Sequence, residues 1–401
     1  MNIKNFIYKY WTAIAIIIII SLGFYVRVAD YPFPYLRNID SYTSYRWMDE
    51  IVKNNGVLPR QDTLVLSPVG AERELQIYPY PYLGALSYMF IHNFIPNLEL
   101  WQYLIYFPAF LAALATIPMY FIGKILYDKK AGVLAAFFIV FDISNMSRSL
   151  GGDPDTDAIV ILFPLIIMAL FLFTYKFINA TKTINKKMLL YSVIIGIALG
   201  LWAHTWAGYW YVTQIITGFL VLKIMIDFII TRKIRQVWDN SKHILLSFVI
   251  FMLVLIIMVV PFFGWVKITS TVTGPLEFQS IKSEEGISFP NVYVSVAELQ
   301  ESGGFASIIQ RTSAVGGIAI LVSPFFLMVY AILYLIYSFY KTQKHMDTIV
   351  LLLIWFIGPL LATMIAIRFS MLFSAPMAIG SGIILSKLLR MLTREDNKIE
   401  E

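Results

Sequence analysis

The chain has 401 residues, of which 59% are hydrophobic and 14% charged. A water-soluble domain carries about a quarter charged residues, so polar side chains are too few here to cover a soluble globule, and a mean hydropathy of +0.72 places lipid against much of the exterior. The formal net charge of +6 calls for no nucleic-acid partner, because Lys and Arg sit in short segments between apolar runs, and with no cysteine the chain has neither disulfide-bonded loops nor a thiol nucleophile.

A bilayer core takes about 20 apolar helical residues. By that measure the sequence predicts ten spans, at 11–28, 101–122, 131–147, 158–175, 188–203, 207–230, 243–264, 317–340, 349–367 and 371–389. The first lacks a small-residue cleavage site and reads as a retained span, not a signal peptide. The run Tyr82–Ile95 covers only 14 residues, and that length suits an interfacial or re-entrant segment on the outer surface. Lys4 and Lys9 place the N-terminus in the cytoplasm. Alternating from there, the basic segments 123–130, 176–187, 231–242, 341–347 and the tail after Leu389 all fall on the inside. Two long stretches, about 29–100 and 266–316, then face outward, with a short outer hairpin at 147–157. No repeat or linker divides the chain, so the expectation is one all-α polytopic membrane domain over residues 1–401.

The acidic residues near outer span ends carry the chemical signal. Asp40 lies past the first span in Arg37-Asn-Ile-Asp-Ser-Tyr. Asp155 and Asp157 flank Thr156 at the start of the fourth span, with Arg148 seven residues before Asp155. Glu298 lies in Ser295-Val-Ala-Glu of the late outer stretch. Carboxylates are costly near hydrocarbon unless paired or coordinated, and hard oxygens suit Mg²⁺ or Mn²⁺. Taken singly, each also suits a solvated loop or a helix cap; Asp157 would cap the span beginning at Ala158. Arg368 is costly away from the interface unless it snorkels to outer headgroups. His204 and Trp206 are possible lining residues, with a satisfied helix-end role as the alternative for His204. Trp202, Trp206 and Trp210, with Tyr209 and Tyr211, suggest an interfacial aromatic belt. The four histidines show no metal-ligand spacing, and no phosphate-binding glycine loop occurs.

Together these pieces resemble, in order along almost the whole chain, the catalytic subunit of oligosaccharyltransferase, a membrane glycosyltransferase of the GT-C type. The matching residues are Asp40, then Ser147-Arg-Ser with Asp155-Thr-Asp157, His204-Thr-Trp-Ala-Gly-Tyr, Ser295-Val-Ala-Glu298, and Ala366-Ile-Arg368-Phe followed by Leu372-Phe-Ser-Ala-Pro376. The resemblance implies a GT-C fold of about 10–12 transmembrane helices. It implies transfer of an oligosaccharide from a polyprenyl-(di)phosphate donor to asparagine of extracytoplasmic proteins. Asp40, Asp155 and Asp157 would hold one Mn²⁺ or Mg²⁺, Asp40 and Glu298 would face the acceptor carboxamide, and Arg368, with Arg148, would contact the donor.

The sequence departs from the family in two ways. The family continues with a further span and an outer soluble domain carrying a WWDYG motif that reads the acceptor. That motif is absent from these 401 residues, and about two fewer spans are counted over the matching region. Three readings follow: a truncated gene product, an enzyme whose acceptor-recognition subunit is a separate chain and so a partner, or a compact homologue with another acceptor. The alternatives are another GT-C enzyme using a polyprenyl-phosphate sugar, or a non-catalytic transporter of lipid-linked sugar.

Overall fold

The structure is a computed structural model. It describes residues 3–29, 31, 35–283, 302–313 and 317–393, and the side chains of these apart from 3–8 and 275–283. In chain order the helices are α1 (Ile3–Val28), α2 (Ile39–Lys53), α3 (Pro79–His92), α4 (Leu100–Leu114), α5 (Thr116–Leu126), α6 (Lys129–Phe141), α7 (Ile143–Ser147), α8 (Asp157–Thr181), α9 (Lys186–Thr205), α10 (Trp210–Thr231), α11 (Ile234–Ser283), α12 (Phe305–Ser313), α13 (Pro324–Thr342), α14 (Met346–Ile365) and α15 (Ser370–Leu392). Strands β1 (Gln61–Asp62) and β2 (Ala71–Glu72) form a short antiparallel pair between α2 and α3. Among the described residues nine helical segments are long and apolar enough to cross a membrane.

Three predicted spans differ in shape. The run 131–147 is not one helix: Asp142 adopts an extended backbone and its carboxylate accepts the Asn145 N–H, so the chain breaks and restarts as α7. Breaking a helix strands the last carbonyls of α6, and Arg27 donates from Nη2 to the Val140 carbonyl at 2.7 Å to supply one partner. The run 317–340 begins as a 3₁₀ turn, and its α-helix starts only at Pro324. The run 243–264 belongs to the longer α11, which kinks at Gly264, whose φ of 67° and ψ of −172° are non-helical. The run Tyr82–Ile95 is largely α3, a 14-residue helix that packs on α2, α4 and α9 and is not among the nine long segments.

The stretch 29–100 is folded, not loose. Arg73, nearly buried, donates to Glu50 at 2.7 Å and Asp62 at 2.9 Å, and Arg46 reaches Asp62 at 2.7 Å. Burial pushes the Asp62 carboxyl up, but the Arg46 hydrogen bond, the Leu64 and Val65 N–H groups and the Arg73 charge outweigh it and hold the carboxyl below its usual range. This network pins the strand pair against α2.

The bundle has two chemically distinct ends. At one, the basic segments converge. Thr348 donates to the Leu126 carbonyl, the hydroxyls of Tyr127 and Tyr334 meet at 3.0 Å, Arg390 pairs with Asp128, and Lys223 bridges to Asp347 at 3.1 Å. At the other gather the end of α1, the α6–α7 break and the starts of α8 and α15.

Candidate active site

The segment between α7 and α8 is threaded backbone-to-backbone into its neighbours. Gly151 N–H donates to the Arg27 carbonyl and Gly152 N–H to the Ile105 carbonyl, both at 2.9 Å, while the Arg37 N–H donates to the Gly152 carbonyl at 2.7 Å. Gly152 has φ +76°, and a Cβ there would fall 2.1 Å from the Tyr31 ring. Glycine is required on both counts. Gly152→Ala is accordingly expected to cost about 1–3 kcal/mol and to lower activity with it. Thermal unfolding in detergent checks this, and a variant as stable as the parent contradicts it.

Arg27, 3% exposed, is the hidden anchor of this region. Its Nε donates to Ser149 Oγ at 2.8 Å, and Nη1 to the Gly23 carbonyl at 2.9 Å. Ser149 in turn donates to the Asn145 carbonyl, and Asn145 donates to Ser374 Oγ of α15 at 2.9 Å. The residue before Ser149 is Arg148, so the guanidinium of α1 fixes the register of the second one.

That register brings together three charges from two distant parts of the chain. Arg148 Nη1 lies 3.2 Å from Asp157 Oδ2, and Arg368 Nη2 lies 3.4 Å from Asp157 Oδ1. Asp157 is buried in the first turn of α8, and Arg368 stands in the 3₁₀ turn Ile367–Phe369 between α14 and α15. The cap role expected for Asp157 is not what its side chain does.

The other acids are placed differently. Asp155 accepts the Thr156 N–H on Oδ1 at 2.6 Å, and its second oxygen has no hydrogen-bond partner among the described residues. Asp40 is exposed in the first turn of α2; its N–H donates to the Asn38 side chain, which caps the helix, and its carboxylate has no partner among the described residues. Asp153, which sequence reasoning passed over, joins the two segments by accepting from Asn38 Nδ2 and Ser41 Oγ, each at 2.7 Å. Burial raises the Asp153 carboxyl above its usual range, the Ser41 hydrogen bond pulls it back, and the Asp155 charge raises it further. Tyr80 of α3 lies beneath, 1% exposed, its phenol pushed far up by burial and by the charges of Asp155, Asp153 and Asp157.

Among the described residues no three His, Asp or Glu side chains form a group able to hold a metal ion. Asp157 is engaged on both oxygens by guanidinium groups, so the expected trio of Asp40, Asp155 and Asp157 is not assembled. Asp40 and Asp155 each keep an oxygen without a partner among the described residues, and carboxylate oxygens are ligands that Mg²⁺ accepts, one or two at a time with water and phosphate oxygens. Glu298 lies outside the described residues.

His204 is not a lining residue. Its Nδ1 accepts the Ile77 N–H at 3.2 Å and its Nε2 lies 3.0 Å from the Met258 carbonyl, to which it donates, so both ring nitrogens are spent tying α9 to the approach to α3 and to α11. Trp206 is half-buried, with its ring 5.4 Å from that of Trp202 and folded against Gly208. The aromatic belt also fails. Trp202 and Tyr209 are fully buried, and Tyr211 donates to the Leu372 carbonyl and accepts from Trp355 Nε1 at 2.6 Å. These rings face protein.

The fold and the site together define a polytopic membrane protein with an acid–arginine centre at one end of its bundle. Residues 8–396 match the family described as oligosaccharyl transferase STT3, N-terminal, and the chain belongs to that family; it is an integral membrane protein. It is 24% identical over 403 residues to a dolichyl-phosphooligosaccharide-protein glycotransferase of Methanococcus voltae, covering 94% of this chain and 43% of that one. Its fold matches the apo crystal structure of the Archaeoglobus fulgidus oligosaccharyltransferase with a TM-score of 0.69 at 21% identity, covering 98% of this chain and 52% of the other. AglB from Archaeoglobus fulgidus, in complex with an inhibitory peptide and a dolichol-phosphate, matches with a TM-score of 0.67 at 19% identity over the same shares. The chain thus spans about half the length of the proteins it matches.

Proposed function

We propose that this chain transfers an oligosaccharide from a polyprenyl-linked diphosphate donor to asparagine side chains of extracytoplasmic proteins. One observation carries the reading: Arg148 and Arg368, 220 positions apart, converge on Asp157 at one end of the bundle. Two guanidinium groups held by one carboxylate present the planar donors that phosphate oxygens take up. The dolichol-phosphate and peptide bound by AglB support the substrate classes.

In the reaction the bond between the anomeric carbon and the diphosphate oxygen breaks, and a carbon–nitrogen bond to the acceptor amide forms. Negative charge builds on the departing diphosphate, and Arg368 with Arg148 stabilises it. The amide nitrogen is a poor nucleophile because resonance ties up its lone pair. Asp40 and Glu298 are assigned to the carboxamide N–H groups, where accepting hydrogen bonds weakens that conjugation, and to the proton the nitrogen loses. Asp40 and Asp155 would hold Mn²⁺ or Mg²⁺, which supplies further positive charge to phosphate oxygens when bound. Asp157 is assigned to positioning the arginines. With the basic segments at the opposite end, the positive-inside tendency puts the N-terminus in the cytoplasm and this site on the outer face. A separate chain that recognises the acceptor is a proposed partner.

The purified chain, incubated with its native lipid extract, is expected to release glycan to water and to form glycopeptide with an Asn-containing peptide. Chelation abolishes both, Mn²⁺ or Mg²⁺ restores them, and Asp155→Asn raises the metal concentration needed. Activity that survives chelation removes the cation from the scheme, and release from monophosphate-linked sugars alone points to another GT-C enzyme.

A further inference from the structure

At the basic end of the bundle, remote from the acid–arginine centre, two adjoining cavities of about 510 and 300 Å³ open between α5, α8, α10 and α14 and the start of α11. The larger lies within the usual range for ligand sites, about 300–1,000 Å³. Both are lined by Tyr175, Asn179, Lys223 and Asp347. Lys223 Nζ lies 2.8 Å from Asp227 and 3.1 Å from Asp347, and the Tyr175 hydroxyl donates to the other oxygen of Asp347 at 2.7 Å. Lys223 stands eight residues before the end of α10 at Thr231 (231 − 223), roughly 12 Å up the helix at 1.5 Å per residue. Ionised groups at that depth are expensive unless they face one another and a polar space.

We propose that these cavities bind the phosphate-bearing headgroup of an anionic membrane lipid. Lys223 is shared between Asp227 and Asp347, and the Tyr175 hydroxyl donates to Asp347. Lys176 and Lys182 stand exposed at the rim and make no ion pair among the described residues. Three lysines (176, 182, 223) against two aspartates (227, 347) leave one net positive charge, and His345 is held toward its neutral form by burial. The site therefore attracts an anion. Its apolar walls, Leu172 and Phe219 among them, make it amphipathic. Basic pockets between membrane helices take up lipid headgroups in this manner.

The test compares thermal unfolding of the detergent-purified chain in micelles containing phosphatidylglycerol, in micelles containing phosphatidylcholine, and with inorganic phosphate. Phosphatidylglycerol is expected to raise the wild-type Tm well above the phosphatidylcholine value, and Lys176→Gln/Lys182→Gln is expected to lose most of that rise. Because both lysines are exposed, the double variant keeps its fold in phosphatidylcholine. Lys186→Gln/Lys233→Gln removes the same charge from the same end but outside the cavities, and keeps the rise. An equal loss in both pairs, or none in either, overturns the proposal. A rise from inorganic phosphate that matches the lipid, and that the Lys176/Lys182 variant loses, supports phosphate recognition and assigns it to a soluble source.

Discussion

Arg368→Gln is expected to lower turnover by roughly 10²- to 10³-fold, the loss typical of removing one preorganised donor from developing oxyanion charge, about 2.7–4 kcal/mol. Arg368 sits in a short 3₁₀ turn between two long helices, with its guanidinium 3.4 Å from Asp157. Arg148 still pairs with Asp157 when it is gone. The variant therefore unfolds close to the wild-type temperature while releasing glycan far more slowly. Asp157→Asn tests the same arrangement from the other side: it removes the charge that both guanidinium groups contact and impairs turnover without changing the metal requirement. Turnover of Arg368→Gln within a factor of a few of wild type contradicts the assignment.

The largest stability effect is expected at Arg27. Its three hydrogen bonds, to Gly23, Val140 and Ser149, are buried where α1, α6 and the segment before α8 meet. Arg27→Met leaves the Val140 carbonyl and Ser149 Oγ without their buried charged donor, and stranding buried partners of a charged group costs about 3 kcal/mol or more. Denaturant unfolding in detergent measures it. Activity falls further than stability predicts, because Ser149 loses its tether and Arg148 loses its register. An Arg27→Met chain as stable as the parent contradicts the role given to this residue.

The spans and the basic end were legible because lipid imposes long apolar runs and charge asymmetry on any chain that crosses it. The match of Arg148, Asp155, Asp157 and Arg368 to a known pattern was legible too, but not their pairing. Spacing places Asp155 and Asp157 on one segment, and only the threading of Gly151 and Gly152 beside α1 and α4 decides which of them meets the arginines. The break at Asp142 was missed because one acid within an apolar run reads as an imperfection of a helix, not as the cap of a second one. The rings of Trp202, Tyr209 and Tyr211 were misread for a related reason: in a membrane protein the face toward lipid and the face toward protein are both apolar, so composition does not separate them. Asp153 gave no signal beyond its two acidic neighbours, since its role depends on Asn38 and Ser41, 115 and 112 positions away.

Donor binding tests the central claim most directly. A polyprenyl-diphosphate sugar titrated into the detergent-purified chain is expected to bind wild type and the Lys176→Gln/Lys182→Gln variant equally. Binding to an Arg148→Gln/Arg368→Gln variant is expected to be weaker by at least about 100-fold, from two charged hydrogen-bond donors worth about 1.5–3 kcal/mol each. Equal binding to the arginine variant, or binding lost only when the lysines of the basic end are changed, contradicts the placement of the donor at the acid–arginine centre.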